Sequence, residues 1–158
     1  GNLLNRTSSM SRKWFDNKVP NKENFSNENK LENFAKIAVE NYIQKFEAYK
    51  LDLAANEVLN LAINTNLYLN ENQPWILIKE KDKLPLVKEI IYNVLESTRI
   101  IGLLLLPLLP SLSSKINLQL GSLYQKDISW VQQLKWGILT GNLNLPKPSP
   151  IINKLEYD

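Results

Sequence analysis

The chain has 158 residues, 44% of them apolar, and 19 basic against 16 acidic side chains leave a net charge of +3. That length suits one domain, and Leu, Ile, Val and Phe make up about a third of it, enough for a packed core. With no cysteine and no histidine, disulfides, Cys or His metal sites, thiol nucleophiles and Ser-His-Asp catalysis are excluded.

Residues 1–15 place Leu3, Leu4, Met10 and Trp14 at helical spacing and predict a helix whose polar face carries Asn2, Arg6, Arg12 and Lys13. The opening is polar within two residues and lacks the apolar stretch of a secretory signal. A helix at the first residue, without an initiator Met, points to a piece cut from something larger. Residues 16–29 hold Pro20 and many Asn, Lys and Glu, and they predict an exposed loop. Apolar residues at 31, 34, 35, 38, 42, 46 and 49 predict an amphipathic helix. The series 51, 54, 58, 61, 62, 65 and 68, apolar but for Thr65, predicts a second one, and the short link makes the two antiparallel neighbours. The polar cluster Asn70-Glu71-Asn72-Gln73 then ends the helix, and Pro74 starts a brief one running to Lys79.

After a break at residues 81–85 the chain is helical again from Leu86, and it becomes apolar all round near residues 103–106. That stretch is the expected core of a bundle. Its longest apolar run, Ile100 to Leu109, holds ten residues, where a membrane span needs about 20. A chain in the cytoplasm and off the membrane is expected. Pro107 and Pro110 kink or end the helix, Ser111 or Ser113 caps a last one up to Leu120, and Gly121 stops it. Residues 122–158 predict a short helix or two and then an extended arm rich in proline. Few segments alternate, so no sheet is expected. The fold class is all-α: a helical bundle over 1–121, then a helix and arm over 122–158.

Little of this pattern carries chemistry. The five glycines are scattered, so no phosphate-cradling loop exists. Glu40, Glu47 and Glu57 fall on polar helix faces and read as solvated. Arg99, beside Ile100, either snorkels or pairs with an acid such as Glu96. Two places stand out. Asn2 and Arg6 are four apart and share one face of a helix. Trp75 follows a helix-starting Pro74. Taken singly, the first is an exposed polar pair and the second a core anchor.

In order along the chain, these pieces resemble the helical anticodon-binding domain of the methionyl-tRNA synthetase family. Four stretches carry the resemblance: Gly1-Asn2-Leu3-Leu4-Asn5-Arg6 with Trp14-Phe15-Asp16 and Val19-Pro20; Tyr68 to Trp75, ending in Pro-Trp; Leu95 to Ile100 through Leu109-Pro110; and Leu134-Lys135-Trp136-Gly137 with the arm to Glu156. The resemblance implies a class I synthetase anticodon-binding bundle. It also implies that Asn2, Arg6, Pro74 and Trp75 read the anticodon CAU of the tRNA. Asn70 departs from the pattern, which has an acid there. The catalytic domain of the parent, with its nucleotide-binding signatures, is absent from this sequence. ATP and magnesium are therefore implied for the parent, and no cofactor for this chain. The implied partners are the methionine tRNA and the catalytic domain of the same parent, towards which the arm folds back.

The residue types suit that role. Single-stranded loop bases are splayed out, stacked on aromatic rings and read on their edges. A cytosine edge offers one amine donor and two acceptors. An Asn amide donates and accepts, and an Arg guanidinium donates in a planar fork. Lys79, Lys81 and Lys83 could attract a backbone electrostatically, but plain solvated cations are the favoured reading. Two other readings compete: the anticodon domain of another class I synthetase, and a helical protein–protein module.

Overall fold

The computed structural model describes residues 2–21, 25 and 29–146. Seven α-helices follow one another in it: α1 (Asn2–Trp14), α2 (Lys30–Glu47), α3 (Leu51–Asn72), α4 (Pro74–Leu77), α5 (Leu84–Leu105), α6 (Pro110–Gln119) and α7 (Trp130–Gln133). A single 3-10 turn, Lys81–Lys83, precedes α5. Among the described residues there is no strand, only an isolated antiparallel bridge between Lys18 and Asn144. The expected all-α bundle is the observed one.

The helix ends follow local chemistry. Asp16 and Asn17 take positive φ values of 54° and 62°, which ends α1 one residue earlier than the periodicity implies. Asn29 caps α2, its side-chain oxygen accepting the Glu32 N–H at 3.0 Å. The polar cluster 70–73 ends α3 as expected, at its last member: the helix runs through Asn72, whose Nδ2 donates to the Tyr68 carbonyl at 2.8 Å, and the chain turns at Gln73. One expected helix start needs correction. Ser113 is not a cap of α6. The helix begins at Pro110, and the buried Ser113 hydroxyl donates instead to the Gly102 carbonyl at 2.6 Å.

α5 is the axis of the bundle. Every residue from Ile90 to Leu104 is buried, and α1, α2, α3, α4 and α6 all pack on it. Its polar residues find partners. Thr65 and Ser97 hydroxyls meet at 2.6 Å, and the Thr98 hydroxyl donates to the Val94 carbonyl. A buried helix end leaves four carbonyls to satisfy. Here Gly102 receives Ser113, Leu103 receives the Trp130 indole N–H at 2.6 Å, Leu104 receives the Tyr42 hydroxyl at 2.7 Å, and Leu105 receives the Leu109 N–H at 2.7 Å. Four parts of the chain therefore converge on one helix terminus.

Gly102 marks how close that convergence is. A Cβ there would meet the Tyr124 hydroxyl and lie 2.8 Å from Ile116 Cγ2. Gly102→Ala is expected to lower stability by about 1–3 kcal/mol through overpacking. Denaturant unfolding followed by circular dichroism checks this, and an unchanged midpoint would show that α6 yields without cost.

The tail returns along the bundle. Val19 N–H donates to Leu143 O, Asn142 N–H to Val19 O and Leu145 N–H to Asn17 O, each at 2.8 Å. Deeper down, Arg99 pairs with Glu96, both buried, which settles its two readings in favour of the pair. Its Nη1 donates to the Gln133 carbonyl (2.6 Å), and Nη2, shared with Glu96, donates to that of Lys135 (2.8 Å). Glu96 Oε2 accepts the Leu139 N–H at 2.7 Å, and the Tyr92 hydroxyl donates to Leu139 O at 2.7 Å. Residues 147–158, where the extended arm is expected, lie outside the described residues. Among the described residues no helix is long and apolar enough to cross a membrane.

Candidate functional site

The corner between α3 and α4 is built for one side chain. Gln73 adopts φ 47° and ψ 60°, a left-handed conformation that is uncommon outside glycine. It closes α3 through its N–H to Leu69 O (3.1 Å) and opens α4 through its carbonyl, which accepts the Ile76 N–H at 3.0 Å. Pro74 follows as the first helical residue, where its fixed φ suits the helix and its missing N–H is not needed. The buried Pro74 ring anchors the corner and sets the next residue, Trp75, at the rim.

Trp75 is half-buried. It packs against Leu69, Ile90 and Val94 together with Leu3 and Met10 of α1. The guanidinium carbon of Arg6 stands 5.6 Å from the centroid of the indole ring. A cation over an indole face is attracted by the ring quadrupole. Arg6 and Trp75 are remote in sequence, and the packing of α1 and α4 on α5 brings them into contact. Asn2 lies in α1 one turn before Arg6; its side chain is outside the described residues. Of the four expected site residues, two touch, one sets the corner and one shares the helix. Asn70 is exposed on α3, and Lys79, Lys81 and Lys83 are exposed after α4.

A polar relay beside the corner is absent from the sequence reading. Asn29 Nδ2 donates to Asn93 Oδ1 at 3.0 Å, and Asn93 Nδ2 donates to the Tyr68 hydroxyl at 3.0 Å. The N-terminus of α2 is thereby tied through α5 to the last turns of α3. Burial pushes the Tyr68 phenol above its ordinary value. The available signal was Asn93 itself, a polar residue on a stretch of α5 buried on every side. Chemically, the corner offers a flat aromatic face, a fixed cation and the hydrogen-bonding groups of one helix. Among the described residues no group of His, Cys, Asp or Glu could hold a metal ion.

Comparison with known proteins gives the family of the fold. Residues 19–154 match the model of a family described as the anticodon binding domain of methionyl tRNA ligase. Methionine–tRNA ligase 1 of Bacillus anthracis is 31% identical over all of this chain, and that of Caldanaerobacter subterraneus is 36% identical, again over all of it. The chain spans only 24% and 25% of those two relatives. Among solved structures, the free-state methionyl-tRNA synthetase of Mycobacterium tuberculosis superposes with a TM-score of 0.83 at 25% identity, covering 100% of this chain and 32% of that one.

Proposed function

The chain belongs to the family of the anticodon-binding domain of methionyl-tRNA ligase, and from that premise we propose that it reads the anticodon CAU of the methionine tRNA through Asn2, Arg6, Pro74 and Trp75. The observation that carries this reading is the Arg6 guanidinium held over Trp75 at a corner fixed by Pro74. A base unstacked from the loop displaces the guanidinium from the indole face and stacks there in its place. The guanidinium fork then donates to the acceptors on its edge, and the Asn2 amide meets the amine. Lys79, Lys81 and Lys83 add a diffuse attraction for the backbone.

The bundle of residues 1–121 is the reading unit in this proposal, and residues 122–158 pack back on it or on the rest of the parent. Since the chain spans about a quarter of the relatives, the joining of methionine to tRNA with ATP and magnesium is assigned to the remaining part of the parent, a cytoplasmic enzyme. This chain selects the tRNA and is expected to activate no methionine.

The test is a titration with two stem-loops, one bearing CAU and one changed only at the first cytosine. Stacking on an aromatic ring is worth about 1–3 kcal/mol per base, so Trp75→Ala is expected to weaken CAU binding about 5- to 150-fold. It should erase the preference between the loops while the helical signal persists. A wild-type chain that does not distinguish the loops, or a variant that binds as well, would return Trp75 to a purely structural role.

A further inference from the structure

The outer face of α1 is not used up by base reading. At 3.6 residues per turn, Asn2, Asn5, Arg6, Ser9, Arg12 and Lys13 fall within one arc of about 120°, opposite Leu4, Ser8 and Ser11. The second set is buried; Ser9, Arg12 and Lys13 are exposed. α1 contains no acidic residue. Among the described residues no ion pair engages Arg6, Arg12 or Lys13, although ion pairs hold Lys36, Lys45 and Arg99 elsewhere. Asn5, Ser9, Arg12 and Lys13 also line a surface groove. One helix thus carries a cation over the indole ring in its second turn, two unpaired cations beyond it, and the neutral hydrogen-bonding side chains of Asn5 before and Ser9 after it.

We infer that this groove is a phosphate-binding track for the RNA strand whose base lies on Trp75, with Arg12 and Lys13 on phosphodiester oxygens and Asn5 and Ser9 donating beside them. The inference rests on the base-reading proposal for the direction in which the strand runs. The helical rise of 1.5 Å per residue sets Lys13 about 10 Å along α1 from Arg6. A strand leaving the indole ring along α1 therefore meets these cations without a bend. Arg supplies a planar fork that matches a phosphate, and Lys a compact charge. A solvated polar face would need none of this arrangement and could tolerate acids within it; this one has none.

Phosphate contacts and base contacts leave different signatures in one experiment. Binding of the CAU loop and of the loop changed at its first base is measured across a salt series, with wild type, Arg12→Gln/Lys13→Gln and Lys50→Gln. Each phosphate contact to a single strand contributes about 0.7 to the slope of log K against log salt. The double variant is expected to weaken both loops by the same factor, keep the preference for CAU and flatten the slope by about 1.4. Lys50, exposed at the far end of α3, is expected to leave the slope unchanged. Arg12→Lys with Lys13 retained should restore most of it. An unchanged slope in the double variant overturns the track, as does an equal loss in Lys50→Gln, which would mean a diffuse field. A wild type that ignores the first base, yet loses slope in the double variant, retires the base-reading proposal and leaves the track standing.

Discussion

Arg99→Leu is expected to lower the stability of the fold by about 3–5 kcal/mol, as when one partner of a buried ion pair is removed. Arg99 and Glu96 are 2% and 0% exposed. The substitution strands the Glu96 carboxylate and leaves the Gln133 and Lys135 carbonyls without their donor. Those carbonyls, with Leu139 on Glu96, hold residues 133–139 on α5. Hydrogen exchange at the Leu139 amide should accelerate together with the loss in denaturant midpoint. Burial already pushes the Glu96 carboxyl up, against the opposing Arg99 charge. Without Arg99 only the upward push and two hydrogen bonds remain. A carboxyl whose folded value lies above its unfolded one holds its proton longer in the native state, so stability falls as pH rises through that window. The variant should thus be less deficient in mild acid than at neutral pH. Arg99→Leu/Glu96→Leu should recover part of the loss, since it removes the stranded charge but not the unpaired carbonyls. A cost of the single variant below about 1 kcal/mol would show that Leu134 and Leu139 hold the tail by packing alone.

Raising the pH is expected to unfold the chain between about pH 10 and 12, with Tyr42 as a principal cause. Tyr42 is fully buried between α2 and α5, stacked on Phe46 and donating to the Leu104 carbonyl. Burial pushes its phenol from 10.0 up to about 12. Burial does the same to Tyr124, to about 12, with the Ser113 hydrogen bond opposing, and pushes Tyr92 up as well, aided by Glu96. Above pH 10 the unfolded chain loses its phenolic protons while the native chain keeps them. The unfolded state then binds fewer protons, and stability falls with rising pH until the folded value is passed. For Tyr42 alone the loss approaches roughly 3 kcal/mol, at 1.36 kcal/mol for each unit between the two values. Tyrosinate absorbance should rise together with the loss of helical signal. Tyr42→Phe should cost about 1 kcal/mol at neutral pH and flatten the alkaline decline. Ordinary phenol titration near pH 10 with the helices intact would contradict the assignment.

Much of the fold is written in local pattern. The periodicities of α2 and α3, the all-round apolar stretch of α5 and the Pro74 start of α4 depend on side chains a few residues apart, which the sequence displays directly. The resemblance drawn from four short motifs agrees with the family match over residues 19–154. Where local signals misled, a distant partner was responsible. Ser113 reads as a cap, but the buried carbonyl of Gly102 claims its hydroxyl.

Helical class, the order and approximate limits of the helices, the family and the residues proposed to read RNA are all legible in the chain before it folds. Each of these depends on spacing within one element or on short ordered motifs. Tertiary structure alone decided that Arg6 stands over Trp75, that Asn93 joins α2 to α3, and that three side chains from separate elements close the carbonyls of α5. Those contacts join side chains with no fixed offset in the chain. They form only when helices pack against a common axis, because buried polar groups must find partners wherever packing has brought them.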